Sequence, residues 1–152
     1  MIHDFDFKVP GQPPSVNRMY DNAYAFDGSG KRYMSRKKSH EVEQYQLVAM
    51  NACQRAKPAL WMPPEPYQPK LGRGLIVIEL YFHLARDIDC DNAQKALLDA
   101  IKFGLGTTTQ HFKRSGPKVV PIYDDNRFLG RAMWKQTGVK EPHVYVRIGP
   151  LS

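Results

Sequence analysis

With 152 residues and a hydrophobic fraction of 42%, the chain is long enough for one domain with its own core. No apolar run approaches the roughly 20 residues of a membrane span, and the acidic start Met1-Ile2-His3-Asp4 does not resemble a signal peptide. Two cysteines and five scattered histidines exclude a disulfide framework and a paired zinc spacing, so the cytoplasm is the expected compartment.

Alternation of Phe5, Phe7 and Val9 with Asp4, Asp6 and Lys8 predicts a half-buried strand that ends at Pro10-Gly11. A turn-rich segment follows from Gln12 to Ser29. Ser35 or Ser39 caps a helix running to about Lys57, because Val42, Tyr45, Ala52, Cys53 and Ala56 recur at helical spacing. Pro58 stops it. Residues 58–69 hold five prolines and predict an extended loop inside one domain. From Leu75 to Leu84, apolar residues on both faces predict a central strand.

The next helix starts at an N-cap on Asp91 or Asn92, buries Ala96, Leu97, Ala100 and Ile101, and ends at Gly104 or Gly106. Thr107 to Pro117 reads as a mobile basic loop. Short strands follow over 118–123, 127–136 and 143–148, with Gly138 to Pro142 turning the last two into an antiparallel hairpin. The order β-α-β-α-β-β-β predicts an α+β fold: two helices packed on a mainly antiparallel or mixed sheet, as a single domain over 1–152.

Charge is the strongest functional clue. The formal net charge is +7, which favours an anionic partner, nucleic acid ahead of membrane. Residues 31–40 carry Lys31, Arg32, Arg36, Lys37 and Lys38 without an acid. Residues 107–140 carry Lys113, Arg114, Lys118, Arg127, Arg131, Lys135 and Lys140 against only Asp124 and Asp125.

Against this background, Asp87-Ile88-Asp89-Cys90-Asp91 crowds three carboxylates into five residues. Such a cluster repels itself unless a cation sits among the groups, and hard divalent ions prefer oxygen ligands. If the chain is extended there, Asp89 and Asp91 point to one face. Lys95 lies one helical turn beyond Asp91, where it either serves as a cation for chemistry or pairs with Asp99. An EF-hand loop is excluded, because its sixth and twelfth positions need Gly and Glu and this chain has Asn92 and Leu98. A helix cap needs only one Asp, so three carboxylates with a distant Asp124-Asp125 fit magnesium better, with phosphate oxygens completing the shell.

Asp89-Cys90-Asp91-Asn92-x-x-Lys95, then Leu97-Leu98-Asp99-Ala100 and Asp124-Asp125, resembles the RusA family of Holliday-junction resolvases. Val9-Pro10-Gly11-Gln12-Pro13-Pro14-Ser15-Val16-Asn17-Arg18-Met19-Tyr20 is similar to that family's opening strand and loop. The resemblance implies a homodimeric endodeoxyribonuclease, of a kind common in phages and prophages, that resolves four-way DNA junctions by paired nicks in recombination and repair. It implies Mg²⁺, with Mn²⁺ as a substitute. It assigns Asp89, Asp91 and Asp125 as metal-binding and catalytic carboxylates, and Lys95 as the catalytic lysine. Asp124 and the extra Asp87 are candidates for a ligand or a supporting role. The stretch 107–120 is longer than the family pattern and is expected to be a basic loop insertion. Asn17, Arg18, Arg32, Lys37, Lys38, Lys113 and Arg114 are the candidate DNA contacts. Trp61, Met62, Tyr67 and Trp134 offer apolar surface for the dimer. The competing readings are a non-cleaving DNA-binding protein of the same fold and a metal nuclease for other nucleic acids.

Overall fold

Phe5, Phe7 and Val9 are buried and the residues between them exposed, so the opening alternation forms the half-buried strand β1 (Phe5–Pro10). The computed structural model describes residues 4–14, 20–26 and 28–150. Within them the next two strands, β2 (Tyr20–Phe26) and β3 (Arg32–Lys38), pair as an antiparallel hairpin. Sequence reasoning placed a turn-rich segment there, so the first half of this hairpin corrects it. Ser39 caps α1 (His40–Ala56), its Oγ accepting from the Val42 amide at 3.2 Å.

The central strand is β4 (Ile76–His83), with most of both faces buried. α2 (Cys90–Leu105) follows it, then the exposed hairpin of β5 (Thr107–Phe112) and β6 (Gly116–Pro121). The expected mobile loop at 107–117 and short strand at 118–123 are therefore one hairpin. Its residues are almost all exposed or half-buried, so no apolar alternation marks it. Two further strands, β7 (Phe128–Gln136) and β8 (His143–Pro150), complete a four-stranded sheet in the order β1-β8-β4-β7.

β8 pairs antiparallel with β1 and β4, whereas β7 runs parallel to β4. The expected hairpin between the last two strands is thus corrected: they flank β4 and do not pair. Gly138 and Val139 donate to the Ala85 and Leu84 carbonyls at 3.3 and 3.0 Å, so the link crosses the end of β4. Parallel neighbours need a crossover, and α2 with the β5–β6 hairpin supplies it. The result is the α+β arrangement of two helices on a mixed sheet. No helix among the described residues is long and apolar enough to cross a membrane.

Both helices pack on one face of the sheet. Tyr45, Ala49 and Cys53 of α1 and Ala93, Leu97 and Ile101 of α2 join Phe7, Val9, Ile78, Leu80, Phe82, Val144 and Val146 in one core. Burial raises the Cys53 thiol to about 12, despite the opposing pull of Lys57, and leaves it an apolar packing group. The helices meet at Gly104, where an added Cβ would lie 2.7 Å from Cys53 Cβ and 3.0 Å from the Met50 carbonyl oxygen. Gly106 ends α2 with φ of 144°, a backbone that side chains rarely adopt.

The proline-rich loop is tied to the domain rather than free. Trp61 donates to Asp4 Oδ2 at 2.9 Å and meets Phe5 and Tyr123 edge-on, at 5.6 and 6.0 Å. Tyr67 donates to the Asn126 carbonyl at 3.1 Å. Both rings are half-buried, whereas Met62 and Trp134 are exposed, at 74% and 44%.

The face opposite the helices carries polar and aromatic groups in cross-strand rows. One row runs Lys8, Tyr145, Tyr81, Trp134; the next, Asp6, Arg147, Glu79, Arg131. His143 and His83 stand side by side in a third, their rings stacked at 4.2 Å. Desolvation, then the His143 and Lys8 charges, hold His83 below the ordinary imidazole value of 6.5.

Gly104→Ala should destabilise the domain. A methyl forced against Cys53 and the Met50 carbonyl costs about 1–3 kcal/mol, more than the gain of about 1 kcal/mol from better helix propensity. Urea denaturation should show a lower midpoint at unchanged slope. The depressed His83 value sets a pH dependence. The unfolded chain takes up this proton near 6.5 and the folded chain only lower. Stability is therefore full above that value and falls as pH drops from it toward the folded value. His83→Phe should remove this part of the slope in denaturation curves recorded across the window.

Candidate functional site

The acidic segment is held by its approach. Gln12 accepts from the Ala85 amide at 2.8 Å and donates to the Arg86 carbonyl at 3.0 Å, so the loop after β1 clamps the chain just before Asp87. Lys135 on β7 donates to Asp87 Oδ1 at 2.8 Å. That hydrogen bond and charge pull the exposed Asp87 carboxyl below its ordinary range. Asp87 is thus already matched by a protein cation.

Sequence spacing placed the helix cap at Asp91 or Asn92; the cap is Asp89. Its Oδ1 accepts from the Asp91 amide at 3.0 Å and its Oδ2 from Asn92 Nδ2 at 3.3 Å. An Asp at this position satisfies an amide that the first turn leaves open. Asp91 therefore begins the helix instead of extending a strand, and its relation to Asp89 is cap to first turn. Asp91 and Lys95 are both exposed, one turn apart, and line the same groove.

That groove runs between α2 and the start of β7, with a volume of about 330 Å³. Gln94 fixes its wall by donating to the Gly130 carbonyl at 3.0 Å. Lys102 closes its far end, paired with Asp125 and, at 3.2 Å, with Asp99. Burial opposes the Lys102 charge, but hydrogen bonds and charges from Asp125 and Asp99 outweigh it and raise its pKa above the ordinary lysine value. The alternative pairing of Lys95 with Asp99 is thus replaced by Lys102 with Asp99. Sequence reasoning missed Lys102. Its signal was the spacing of three from Asp99 and seven from Lys95, two turns along one stripe.

Asp125 owes its place to Arg127, which donates to the Gly74 and Glu65 carbonyls at 2.8 Å and lies over the Tyr67 and Tyr123 rings. This pins the short 3₁₀ turn Asp125–Arg127, with Asp124 as its flanking residue. Asp124 is exposed and its side chain does not cap the turn.

The groove thus has an acidic head at Asp91, with the cap residue Asp89 just before it in the chain, and an acidic foot at Asp99 and Asp125. Eight residues of helix separate Asp91 from Asp99, about 12 Å at helical rise. Among the described residues no group of three or more His, Cys, Asp or Glu side chains is placed to hold a metal ion. The donor set at the head still suits magnesium, which takes one or two carboxylates and fills its shell with water and phosphate oxygens. Asp89 spends one lone pair per oxygen on its cap, and a carboxylate has about four sites. By donor type, Asp89 and Asp91 are the residues that would hold such an ion. The arrangement does not fit one ion shared by Asp89, Asp91 and Asp125.

Of the expected nucleic-acid contacts, Lys113 and Arg114 are exposed in the turn of the β5–β6 hairpin. Arg32, Lys37 and Lys38 lie on the β3 backbone, and Asn17 and Arg18 fall outside the described residues. No family model, no curated protein and no solved structure matches this chain.

The two groove lysines should separate in stability measurements. Lys95 has no ion pair among the described residues, so Lys95→Ala should change stability by no more than about 0.5 kcal/mol. Lys102→Ala leaves Asp99 and Asp125 unmatched beside a half-buried position and should cost more, on the order of 1 kcal/mol. Equal midpoints for the two variants in urea would contradict the assignment.

Proposed function

We propose that the chain is a Mg²⁺-dependent, structure-selective endodeoxyribonuclease that resolves four-way DNA junctions by paired nicks in recombination and repair. One observation carries the reading. Of the acids Asp87, Asp89, Asp91, Asp99, Asp124 and Asp125, only Asp91 and Asp124 have neither a lysine partner nor a hydrogen-bond donor among the described residues, and of these two only Asp91 lines the groove beside Lys95. Lys95, one turn away in the same groove, is the matching uncommitted cation. An uncommitted carboxylate beside an uncommitted ammonium, on a basic chain, suits phosphodiester chemistry. The sequence resemblance to RusA resolvases supports the substrate class.

In this reading Asp89 and Asp91 hold the ion, with Mn²⁺ able to replace Mg²⁺. When bound, the cation polarises a phosphate oxygen and ionises a water near neutral pH. Lys95 holds its ammonium toward the charge that develops on the phosphate. Lys102 pairs with Asp125 at the foot of the groove. Lys113 and Arg114, projecting on the hairpin, contact the DNA backbone and set register rather than sequence. Paired nicks need two copies of the site, which a twofold homodimer supplies. The cytoplasm is the compartment proposed, and a phage or prophage origin suits the resemblance.

A second reading is a DNA-binding protein of the same fold that does not cut. The observation favouring it is the Lys102–Asp125 pair, which occupies one carboxylate with a protein cation.

A labelled four-way junction, linear duplex and splayed arm, each with Mg²⁺ or EDTA, separate the two. Cleavage of the junction in Mg²⁺ alone is the expected result; binding without cleavage in either Mg²⁺ or Mn²⁺ supports the second reading. Asp91→Asn and Lys95→Ala should each slow cleavage by about 10² or more while junction binding persists. Asp125→Asn should cost less, under about tenfold, because its charge already has a partner. A loss as large as that of Asp91→Asn would place Asp125 at the reacting phosphate and overturn its role as Lys102's partner at the foot of the groove.

A further inference from the structure

The sheet face opposite the helices presents a continuous set of rings. Tyr145, Tyr81 and Trp134 are neighbours in one cross-strand row, and His143 and His83 in the next. Trp134 lies 4.8 Å from His83, His83 lies 4.2 Å from His143, and Tyr81 lies 5.9 Å from Tyr145. None of the five is fully buried, and Trp134 is 44% exposed.

The charges around these rings are mixed: Lys8, Arg131 and Arg147 are cationic, and Asp6 and Glu79 are acidic. Lys8 is exposed at one end of the first row, and Arg131 is 45% exposed beside the other. The acids of the face are engaged: Asp6 with the Tyr145 hydroxyl, and the buried Glu79 with Arg131 at 3.8 Å. Glu79 is buried beneath the rows, its Oε2 facing Arg131.

We infer that this face binds unpaired nucleotides, whose bases stack on the ring rows while Lys8 and Arg131 meet their phosphates. Open sheets bind single strands this way because every base offers a π-face and the backbone is anionic, whereas a duplex keeps its bases stacked away from such rings. The rings lie opposite the helices and the groove lies on the helix side of β7, so a strand laid over the rings would reach Asp91 by passing around that edge strand. The inference deepens the junction-nuclease reading by assigning the unpaired strand a place, although the binding itself needs neither metal nor cleavage.

The test is fluorescence anisotropy of short labelled single strands, deoxyribose and ribose, and of a duplex of the same length, all in EDTA. The single strands should bind. Trp134→Ala and Lys8→Glu should each weaken them by about tenfold, with duplex affinity little changed. Lys8 is exposed on an edge strand, so its variant reports even if Trp134→Ala fails to fold. Unchanged single-strand affinity in Lys8→Glu and in folded Trp134→Ala overturns the inference. So does a change from dimer to monomer in Trp134→Ala with single-strand binding intact, which would mean that a second copy covers the face. Asp91→Asn should keep full single-strand binding. Failure to cleave junctions with Trp134-dependent binding preserved would sink the nuclease reading and leave the ring face standing; cleavage with no such binding would do the reverse.

Discussion

The parallel pairing of β4 with β7 is the constraint on which the rest depends. Two parallel neighbours cannot be joined by a tight turn, so the chain must leave the end of β4, cross the sheet, and return to the start of β7. α2 makes that crossing over the core face. Its first turn stands where β4 ends and its last turn where β7 begins. A groove between helix and strand follows directly, with Asp91 at one end and Asp125 at the other. The same crossing explains why the β5–β6 hairpin can be exposed: it sits in the return path, outside the sheet, with nothing to bury it.

Much of this fold could be read from residue pattern, and the failures have two causes. Elements that bury one face or both were legible: β1 by strict alternation, β4 by its continuous apolar run, and both helices by their buried stripes. The β5–β6 hairpin was not, because Thr107-Thr108-Thr109-Gln110-His111-Phe112 leaves both faces to solvent and needs no alternation. Partnering of strands was the other blind spot. Gly138 to Pro142 looks like a hairpin turn in sequence, yet Gly138 and Val139 spend their amides on the end of β4. Local turn chemistry does not record which strand lies between its flanks.

The site was legible in kind but not in pairing. Asp91 and Lys95 share a face because four residues make about one turn, and that much the spacing dictates. Which lysine meets which acid depends on where another segment lands. Asp99 has Lys95 four residues before it and Lys102 three after; the choice falls to Lys102 because Asp125 arrives beside it, carried by a turn that Arg127 fastens to the proline-rich loop. Arg127 looked like one more surface cation. Its guanidinium is instead spent on two backbone carbonyls and two rings, a use open to Arg and not to Lys.

Acidic residues on a chain of net charge +7 are therefore not a single cluster but a graded series. Asp87 is matched by Lys135, Asp99 and Asp125 by Lys102, and Asp89 by the amide and side-chain donors of the helix start. Each pairing lowers the local negative potential that would otherwise repel a phosphate. What survives at the head of the groove is one carboxylate with one ammonium a turn away. In the proposed function this is where a polyanion approaches, its neighbouring charges cancelled, and where Asp91 would hold a small divalent ion. On that proposal, repulsion of the phosphate and attraction of the cation fall to the same residue, and the balance between them rests on how completely Lys135 and Lys102 hold their partners.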